Sequence, residues 1–330
     1  MKLHHRRRFL HLAAGAVTVP AVSRIARADV YPSRPITLIV PFPPGGGLDV
    51  TARLLQAPLA EALGQPLVIE NIGGAAGSIG VGRVAHATPD GYTIGIGMWG
   101  THVINPAMYH LDYDVVRDFA PIGLLAAAPQ MIVAKKEVPA NDLKSLIVWL
   151  KANPDKALMA TAGVGSVGHV LGVFFQKQTG TEFRFVPYRG LGPATQAVLA
   201  GQVDMLITTP SAALEQVRAG SIKGYAITDR ERLATAPEIP TVDEAGVPGL
   251  YAPNWYALWA PKGTSQQAIT KLNAATVTAL AVPNVRKNLV AAGLNLYPRD
   301  EETPETLARL QKADIEKWWP VIKAADINLE

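Results

Sequence analysis

Four times in this chain a short apolar run of strand length ends in a glycine-rich turn, and a helical pattern begins directly after it. The turns are Pro43–Gly47, Gly73–Gly80, Gly163–Gly168 and Tyr188–Gly192. Continuous apolar strands separated by helices indicate a parallel sheet covered on both faces, the α/β class. The device also carries chemistry. A helix that begins just after a glycine turn points unsatisfied N–H groups, and about half a positive charge, at whatever lies beyond the sheet edge. One such turn is no more than a tight strand-to-helix connection. Four in one chain point to a cleft lined with backbone donors.

The elements can be placed by period and punctuation. Ile36–Val40 is a strand, and Asp49–Leu63 has apolar residues near helical spacing, stopped by Gly64. Leu67–Ile69 is a strand, the helix after Gly80 ends near Ala87, and Pro89-Asp90-Gly91 turns into a strand at Tyr92–Ile96. The middle repeats the pattern: strand Gln130–Lys135, helix Leu143–Ala152, strand Leu158–Ala160, a helix carrying Val170, Leu171, Phe174 and Phe175, strand Phe183–Pro187, helix Pro193–Ala200 and strand Val203–Ile207. The last third holds strand Tyr256–Ala260 and helices near 266–281, 284–292 and 304–325, the last capped by Thr303.

The first 28 residues read as an export leader rather than part of the fold. Arg6-Arg7-Arg8-Phe9-Leu10 is a twin-arginine signature, Leu10 to Val22 is apolar, and Ala26-Arg27-Ala28 is a small-x-small cleavage site. The apolar run falls short of the ~20 residues that a membrane-spanning helix needs. Cleavage would start the mature chain at Asp29. The leader holds six of the 31 basic residues and none of the 27 acidic ones, so the mature chain carries 25 against 27, a net charge of −2. The basic balance of the full chain is therefore no argument for a nucleic-acid partner. There is no cysteine, which removes disulfides, thiolate metal sites and a thiol nucleophile. With a mature length of about 300 residues a chain buries ~75% of its unfolded surface, enough for a large core.

Catalytic and cofactor patterns are thin. Gly95–Gly100 and Gly163–Gly168 both satisfy G-x-G-x-x-G, but a dinucleotide site also needs an acid at the end of the next strand, ~20 residues on. Asp118 lies in a polar loop segment and Glu182 opens its strand. No phosphate-binding G-x-x-x-x-G-K-[ST] and no G-x-S-x-G elbow is present. Of four histidines beyond the leader, His102 and His110 with Asp112 form no recognised metal pattern, and His169 is placed to hydrogen-bond at its helix start. No cofactor and no metal are expected. Trp99 and Trp255 stand beside strands near a domain boundary, where they serve either as core or as the wall of a ligand site. Arg189 is the only Lys or Arg within the four turns.

The segment Tyr31-Pro32-Ser33-Arg34-Pro35-Ile36, followed by Val40-Pro41-Phe42-Pro43-Pro44-Gly45-Gly46-Gly47-Leu48-Asp49, closely resembles the Bug receptors, also called the TctC family. So do Gly64-Gln65-Pro66, Pro89-Asp90-Gly91-Tyr92-Thr93, Gly100-Thr101-His102 with Ile104-Asn105-Pro106, Asp118-Phe119-Ala120-Pro121, Val186-Pro187-Tyr188-Arg189-Gly190, Gly201-Gln202-Val203-Asp204, and Pro240-Thr241-Val242 with Glu244-Ala245-Gly246. The motifs come in order and at matching spacing across essentially the whole mature chain.

The resemblance implies a two-lobed periplasmic binding protein of the type II, Venus-flytrap kind, with the chain crossing twice between lobes, near Gln130–Ala134 and Asn254–Ala260. Lobe 1 is then 29–131 with 253–330, and lobe 2 is 132–252. It implies a monomeric periplasmic receptor, not inserted in the membrane, that captures a small carboxylate and hands it to the permease subunits of a tripartite tricarboxylate transporter. By the same resemblance the site residues are Phe42, Gly45, Gly46, Gly47 and Asp49 in the first loop, Trp99, Gly100 and Thr101 after the third strand, and Gly163, Gly165, Ser166 and His169 from the other lobe. Tyr188, Arg189 and Gly190 close the cleft, with Thr208, Thr209 and Trp255 at its floor and wall. Many relatives carry a small polar residue at Trp99 and Asp-Asn or a similar pair at Thr208-Thr209. The missing acid removes a partner for a ligand ammonium and favours a dicarboxylate or aromatic acid without an amino group. The rival readings are an exported α/β oxidoreductase, which would carry bound flavin or nicotinamide, and a binding protein that feeds a periplasmic sensor.

Overall fold

Strand β1 (Ile36–Val40) lies in the interior of a first sheet, where an apolar run with all but one of its residues buried belongs. The computed structural model describes residues 31–324 apart from 155 and 253; the leader at 1–28 lies outside the described residues. From β1 the chain runs through α1 (Gly47–Leu63), β2 (Leu67–Asn71), α2 (Ser78–Ala85) and β3 (Thr93–Met98). A π-helical turn, Gly100–Ile104, then leads into α3 (Asn105–Met108), before β4 (Phe119–Ala127). A second sheet follows without an intervening helix: β5 (Met131–Lys135), α4 (Leu143–Ala152), β6 (Leu158–Thr161), α5 (Val167–Thr179), β7 (Arg184–Pro187), α6 (Leu191–Leu199), β8 (Met205–Thr208), α7 (Pro210–Arg218) and β9 (Ile222–Ile227). The chain then returns to the first sheet as β10 (Trp255–Pro261) and finishes with α8 (Gln266–Ala281), α9 (Pro283–Ala291) and α10 (Pro304–Ala324).

The two sheets have the same plan. The first is ordered β2-β1-β3-β10-β4 and the second β7-β6-β8-β5-β9. Each has one strand running against the others: β10 is antiparallel to β3 and β4, and β5 to β8 and β9. The sequence indicates a parallel sheet, and the one reversed strand in each sheet is a correction to that. The reversed strands are the two by which the chain enters a sheet from the other one, so their direction is set by the crossing. Burial on both faces gives them the same apolar runs as parallel strands, and hydrophobic pattern does not report direction. The expected helices are present, and Thr303 Oγ1 accepts from Thr306 N–H at the start of α10 as a cap should. Strands β4 and β9 and helix α7 are not among the expected elements. Among the described residues no helix is long and apolar enough to cross a membrane.

The sheets share a core. One cluster of buried apolar side chains runs from Ile39, Trp99 and Val103 of the first sheet and its connections, through Trp318 on α10, to Val167, Phe175 and Met159 of the second. Trp318 is the pivot: Trp99 meets it edge-on at 5.1 Å from one lobe, and Phe174 of α5 does so at 5.0 Å from the other. Such edge-to-face pairs contribute about 0.5–1.5 kcal/mol beyond the area they bury.

Beside this seam, Asp314 on α10 accepts a hydrogen bond of 2.7 Å from the Trp255 indole N–H. Burial pushes its carboxyl up to about 6, against the opposing pull of that bond and of Lys317. A carboxyl raised in the folded state binds more protons there than in the unfolded chain. Its contribution to stability is whole below the ordinary Asp range and is lost as pH rises through 6. Asp314→Asn keeps an acceptor for Trp255 without the charge. It is expected to stabilise the protein by about 1–3 kcal/mol at pH 7.5 and to leave it nearly unchanged at pH 4.5. Melting curves of both proteins at the two pH values check this; a variant less stable at pH 7.5 would refute it.

Candidate functional site

The first glycine turn is fixed from below by a buried carboxylate. Asp49, in the first turn of α1, is only 2% exposed. Its Oδ2 accepts from Gly45 N–H and Arg53 Nε, both at 2.9 Å, and its Oδ1 from Asn71 Nδ2 at 2.9 Å. The same Asn71 amide donates to the Phe42 carbonyl at 2.9 Å. Burial alone would raise the Asp49 carboxyl, but the bonds from Arg53, Gly45 and Asn71 outweigh it and hold it below the usual carboxylate range. The sequence places Asp49 at the ligand. The structure instead gives it a bracing role, with both oxygens occupied from within the protein.

Bracing leaves the glycines presenting their backbone outward. They are glycines for three different reasons. Gly45 has φ +88°, where a side chain is strained. At Gly47 a Cβ would lie 2.8 Å from the Tyr256 hydroxyl. At Gly46, the residue before α1, φ is −78° and the nearest atom to a Cβ is the Pro43 carbonyl at 3.9 Å, so the fold itself does not require glycine there. The space over Gly46 lies at the start of a 17-residue helix that has no side-chain cap.

The other turns converge on this one. Phe42 Cζ and Thr101 Cγ2 each stand 2.9 Å from where a Gly77 Cβ would be, so the first, second and third connections of the first sheet meet at Gly77. A Cβ on Gly100 would meet Val167 of α5 at 3.3 Å, and one on Gly165 would meet Met108 and the Tyr109 hydroxyl at 3.1–3.2 Å. The Tyr109 hydroxyl also donates to the Val164 carbonyl at 3.4 Å. Gly163 in turn sits against the Tyr188 carbonyl, 3.6 Å from its Cβ position. The turn at Gly163–Gly168 therefore packs on the segment that follows β3, and the first two turns of the first sheet meet that segment at Gly77; open α/β sheets bind ligands at such strand ends.

On the second sheet, Ser166 caps α5 by accepting from His169 N–H. His169 Nδ1 accepts from Gly165 N–H at 3.0 Å, and the ring is edge-on to Phe185 at 4.4 Å. Burial pushes its pKa down to about 4, so the ring is neutral at pH 7. With Nδ1 an acceptor, the proton sits on Nε2. Arg189 is exposed, Tyr188 and Gly190 are half-buried, and Thr209 accepts from Ser211 at the start of α7. Thr208, the last residue of β8, is fully buried with its hydroxyl unpartnered.

Three further expectations need correcting for this conformation. Trp99 has no exposed surface and packs on Trp318. Trp255 is equally enclosed, with its N–H committed to Asp314. The Thr101 hydroxyl is turned inward, accepting from Met98 N–H and bonding the Met98 carbonyl. A tryptophan next to a strand end has the same sequence signature whether it lines a core or a cleft. His102 stacks on Trp259 at 3.8 Å, and burial pushes its pKa down to about 3. Among the described residues no group of three or more His, Asp or Glu is placed to hold a metal.

Sequence reasoning misses Asn71, Asn105 and Tyr256. Asn105 is buried and donates to the Ala76 carbonyl and to Ser78 Oγ, at 2.9 and 3.0 Å. It thereby clamps a turn in which Ala75 and Ala76 both have positive φ, a conformation that costs of order 1–3 kcal/mol per residue. Its place in the Ile104-Asn105-Pro106 motif is the one sequence signal for it.

A family model described as the tripartite tricarboxylate transporter family receptor matches residues 51–327. Protein BugT of Bordetella pertussis is 33% identical over 316 residues, spanning 95% of this chain and 96% of its own. MatC from Rhodopseudomonas palustris, solved with bound malate, is 38% identical with a TM-score of 0.81, covering 88% of this chain and all of that one. A second R. palustris protein, solved with adipate, is 33% identical with a TM-score of 0.82, covering 90% of this chain and 99% of that one.

The Asp49 brace is open to test. Asp49→Asn leaves one of its donors facing an amide N–H₂ and is expected to cost about 1–3 kcal/mol at pH 7. A carboxyl lowered in the folded state contributes stability above the ordinary Asp range and loses it as pH falls. The gap between the two proteins should therefore narrow towards pH 3. Urea unfolding at pH 7 and pH 3.5 measures both values, and equal stability at pH 7 would show that the brace is idle.

Proposed function

The chain belongs to the tripartite tricarboxylate transporter family of receptors, and from that premise we propose that it is the periplasmic solute-binding protein that captures a small carboxylate for the membrane permease of such a transporter. The observation that carries the reading is the unfilled space over Gly46. It lies at an uncapped helix start, in the turn whose Phe42 reaches Gly77 of the second turn. Backbone donors there suit an anion without any lysine. On this reading the leader at 1–28 directs export by the twin-arginine route and is removed, lobe 1 is 29–131 with 253–330, and lobe 2 is 132–252. Gly46 and Gly47 donate from one lobe. Gly163, Gly165, Ser166 and His169 face them from the other, and Tyr188, Arg189 and Gly190 close over the solute.

The solute is a dicarboxylate or aromatic acid without an amino group. Asp49, the acid nearest the first turn, is consumed by the brace, and Thr208 and Thr209 bring no charge to the second lobe. The relatives solved with malate and adipate hold dicarboxylates of that kind. Ligand binding holds the lobes together because donors from both engage it only in the closed arrangement. The protein is then a carrier and not a catalyst.

A thermal-shift series on the protein starting at Asp29 tests this, with malate, adipate, terephthalate, benzoate, aspartate, glutamate and NAD(P) as probes. A ligand at a hundred times its Kd adds about 2.7 kcal/mol to the folded state, a readily visible shift. Stabilisation by one of the amino-free acids is expected. Gly46→Leu should abolish that shift while the unliganded melting temperature stays within a degree or two of the parent. Gly165 is a poor site for the same test, because its φ of +75° and its contact with Met108 and Tyr109 would disturb the fold directly. A response to the dinucleotide alone would replace this reading with the oxidoreductase.

A further inference from the structure

Tyr256 lies at the start of β10, in register with Met98 at the carboxyl end of β3. It therefore stands at the sheet edge from which the glycine turns leave, although its own strand runs the other way. Trp255 and Trp259 face α10 and His102, which puts Tyr256 on the opposite face of the strand. There its hydroxyl reaches the first turn of α1, 2.8 Å from the Cβ position of Gly47. The residue is 3% exposed, and its hydroxyl has no hydrogen-bond partner among the described residues. Burial pushes its pKa up to about 12, so it keeps its proton at any ordinary pH.

The hydroxyl is not among the side-chain atoms sealed from solvent, so the ring is enclosed while its oxygen stays reachable from outside the protein. Here it lies by a helix start that has an open approach, over Gly46, and no side-chain cap. The first-turn N–H groups of α1 and the phenol can all donate here. The acceptor that could serve them, Asp49, is tied to Gly45, Arg53 and Asn71.

We propose that Tyr256 is a specificity-determining residue of the solute site, donating from its hydroxyl to the carboxylate held at the first turn of α1. This rests on the solute-receptor reading above. It accounts for Gly47, whose backbone conformation does not demand glycine: any side chain there would fall on the phenol oxygen. It also favours an ionised carboxylate, which can accept from the phenol and from the first-turn N–H groups together.

The test is Tyr256→Phe in the full mature protein, titrated calorimetrically with whichever of malate, adipate, terephthalate or benzoate binds the parent. Losing a hydrogen bond to a charged group should weaken binding by roughly 10- to 100-fold. The unliganded variant should melt near the parent's temperature, because the hydroxyl bonds no other group of the protein among the described residues. A merely structural tyrosine would show the reverse, with a lower melting temperature and unchanged affinity. Gly47→Ala gives an independent readout. It should weaken binding strongly in the parent, where the new methyl displaces the phenol oxygen, and much less in the Tyr256→Phe background. Unchanged affinity in Tyr256→Phe, or fully additive effects in the double variant, overturns the proposal while leaving the receptor reading intact. Failure of the parent to bind any of the four acids overturns the receptor reading and this proposal with it.

Discussion

Everything in this molecule depends on how three strands of chain are tied together where they pass between the two sheets. Gln130 N–H donates to Thr228 Oγ1 at 2.9 Å, and Thr228 N–H returns a bond to the Gln130 carbonyl at 2.8 Å. Ala252 N–H donates to the Thr228 carbonyl, and Ala128 N–H to the Asn254 carbonyl. The segments around 128–130, 228 and 252–254 are thus stitched to one another. Each stitch satisfies backbone groups that would otherwise be buried without partners. Because both sheets grow from this knot, the carboxyl ends of their parallel strands come to the same seam. The knot also sets the reversed direction of β5 and β10. That reversal brings Tyr256, from the beginning of a strand, to the place where the other strands end.

The hydrophobic pattern carries most of this architecture. Ile36–Val40, Met131–Lys135 and Leu143–Ala152 announce themselves by run length and period, and the structure has them where the pattern does. β4 is harder to see, because Pro121 and Gly123 interrupt its sequence. Pro121 is tolerated where β4 lies at the sheet edge and β10 shifts register beside it. β9 is masked by Lys223 and Gly224. Lys223 spends its charge on the carbonyls of Val138 and Ala140, a partnership set by distant residues. The site was legible as composition but not as mechanism. Three consecutive glycines look alike in a sequence, yet one is fixed by φ, one by a tyrosine 209 positions away and one by open space. Asp49 looks like a ligand contact until its partners Gly45, Arg53 and Asn71 are known.

The electrostatics of the seam follow from burial rather than from fixed charge. His169 is held neutral, with its remaining proton on Nε2, and Tyr256 keeps its proton. Asp49 is charged but internally neutralised by Arg53. Apart from the exposed Arg189, these groups leave a set of dipoles and N–H groups facing outward. Such a surface attracts an anion at short range without a strong field at long range. Its preference is accordingly set by hydrogen-bond geometry, with ionic strength acting through Arg189 and the screening of the anion itself.

The ring of Trp318 has a kinetic consequence. Trp99 and Phe174 press on it from opposite lobes, so separating the lobes means exposing a tryptophan to water. That cost falls on the opening step and is absent from the contacts a solute makes. On the receptor reading, an aromatic contact that stands apart from the cargo would thus add to the barrier for release, whichever solute is held.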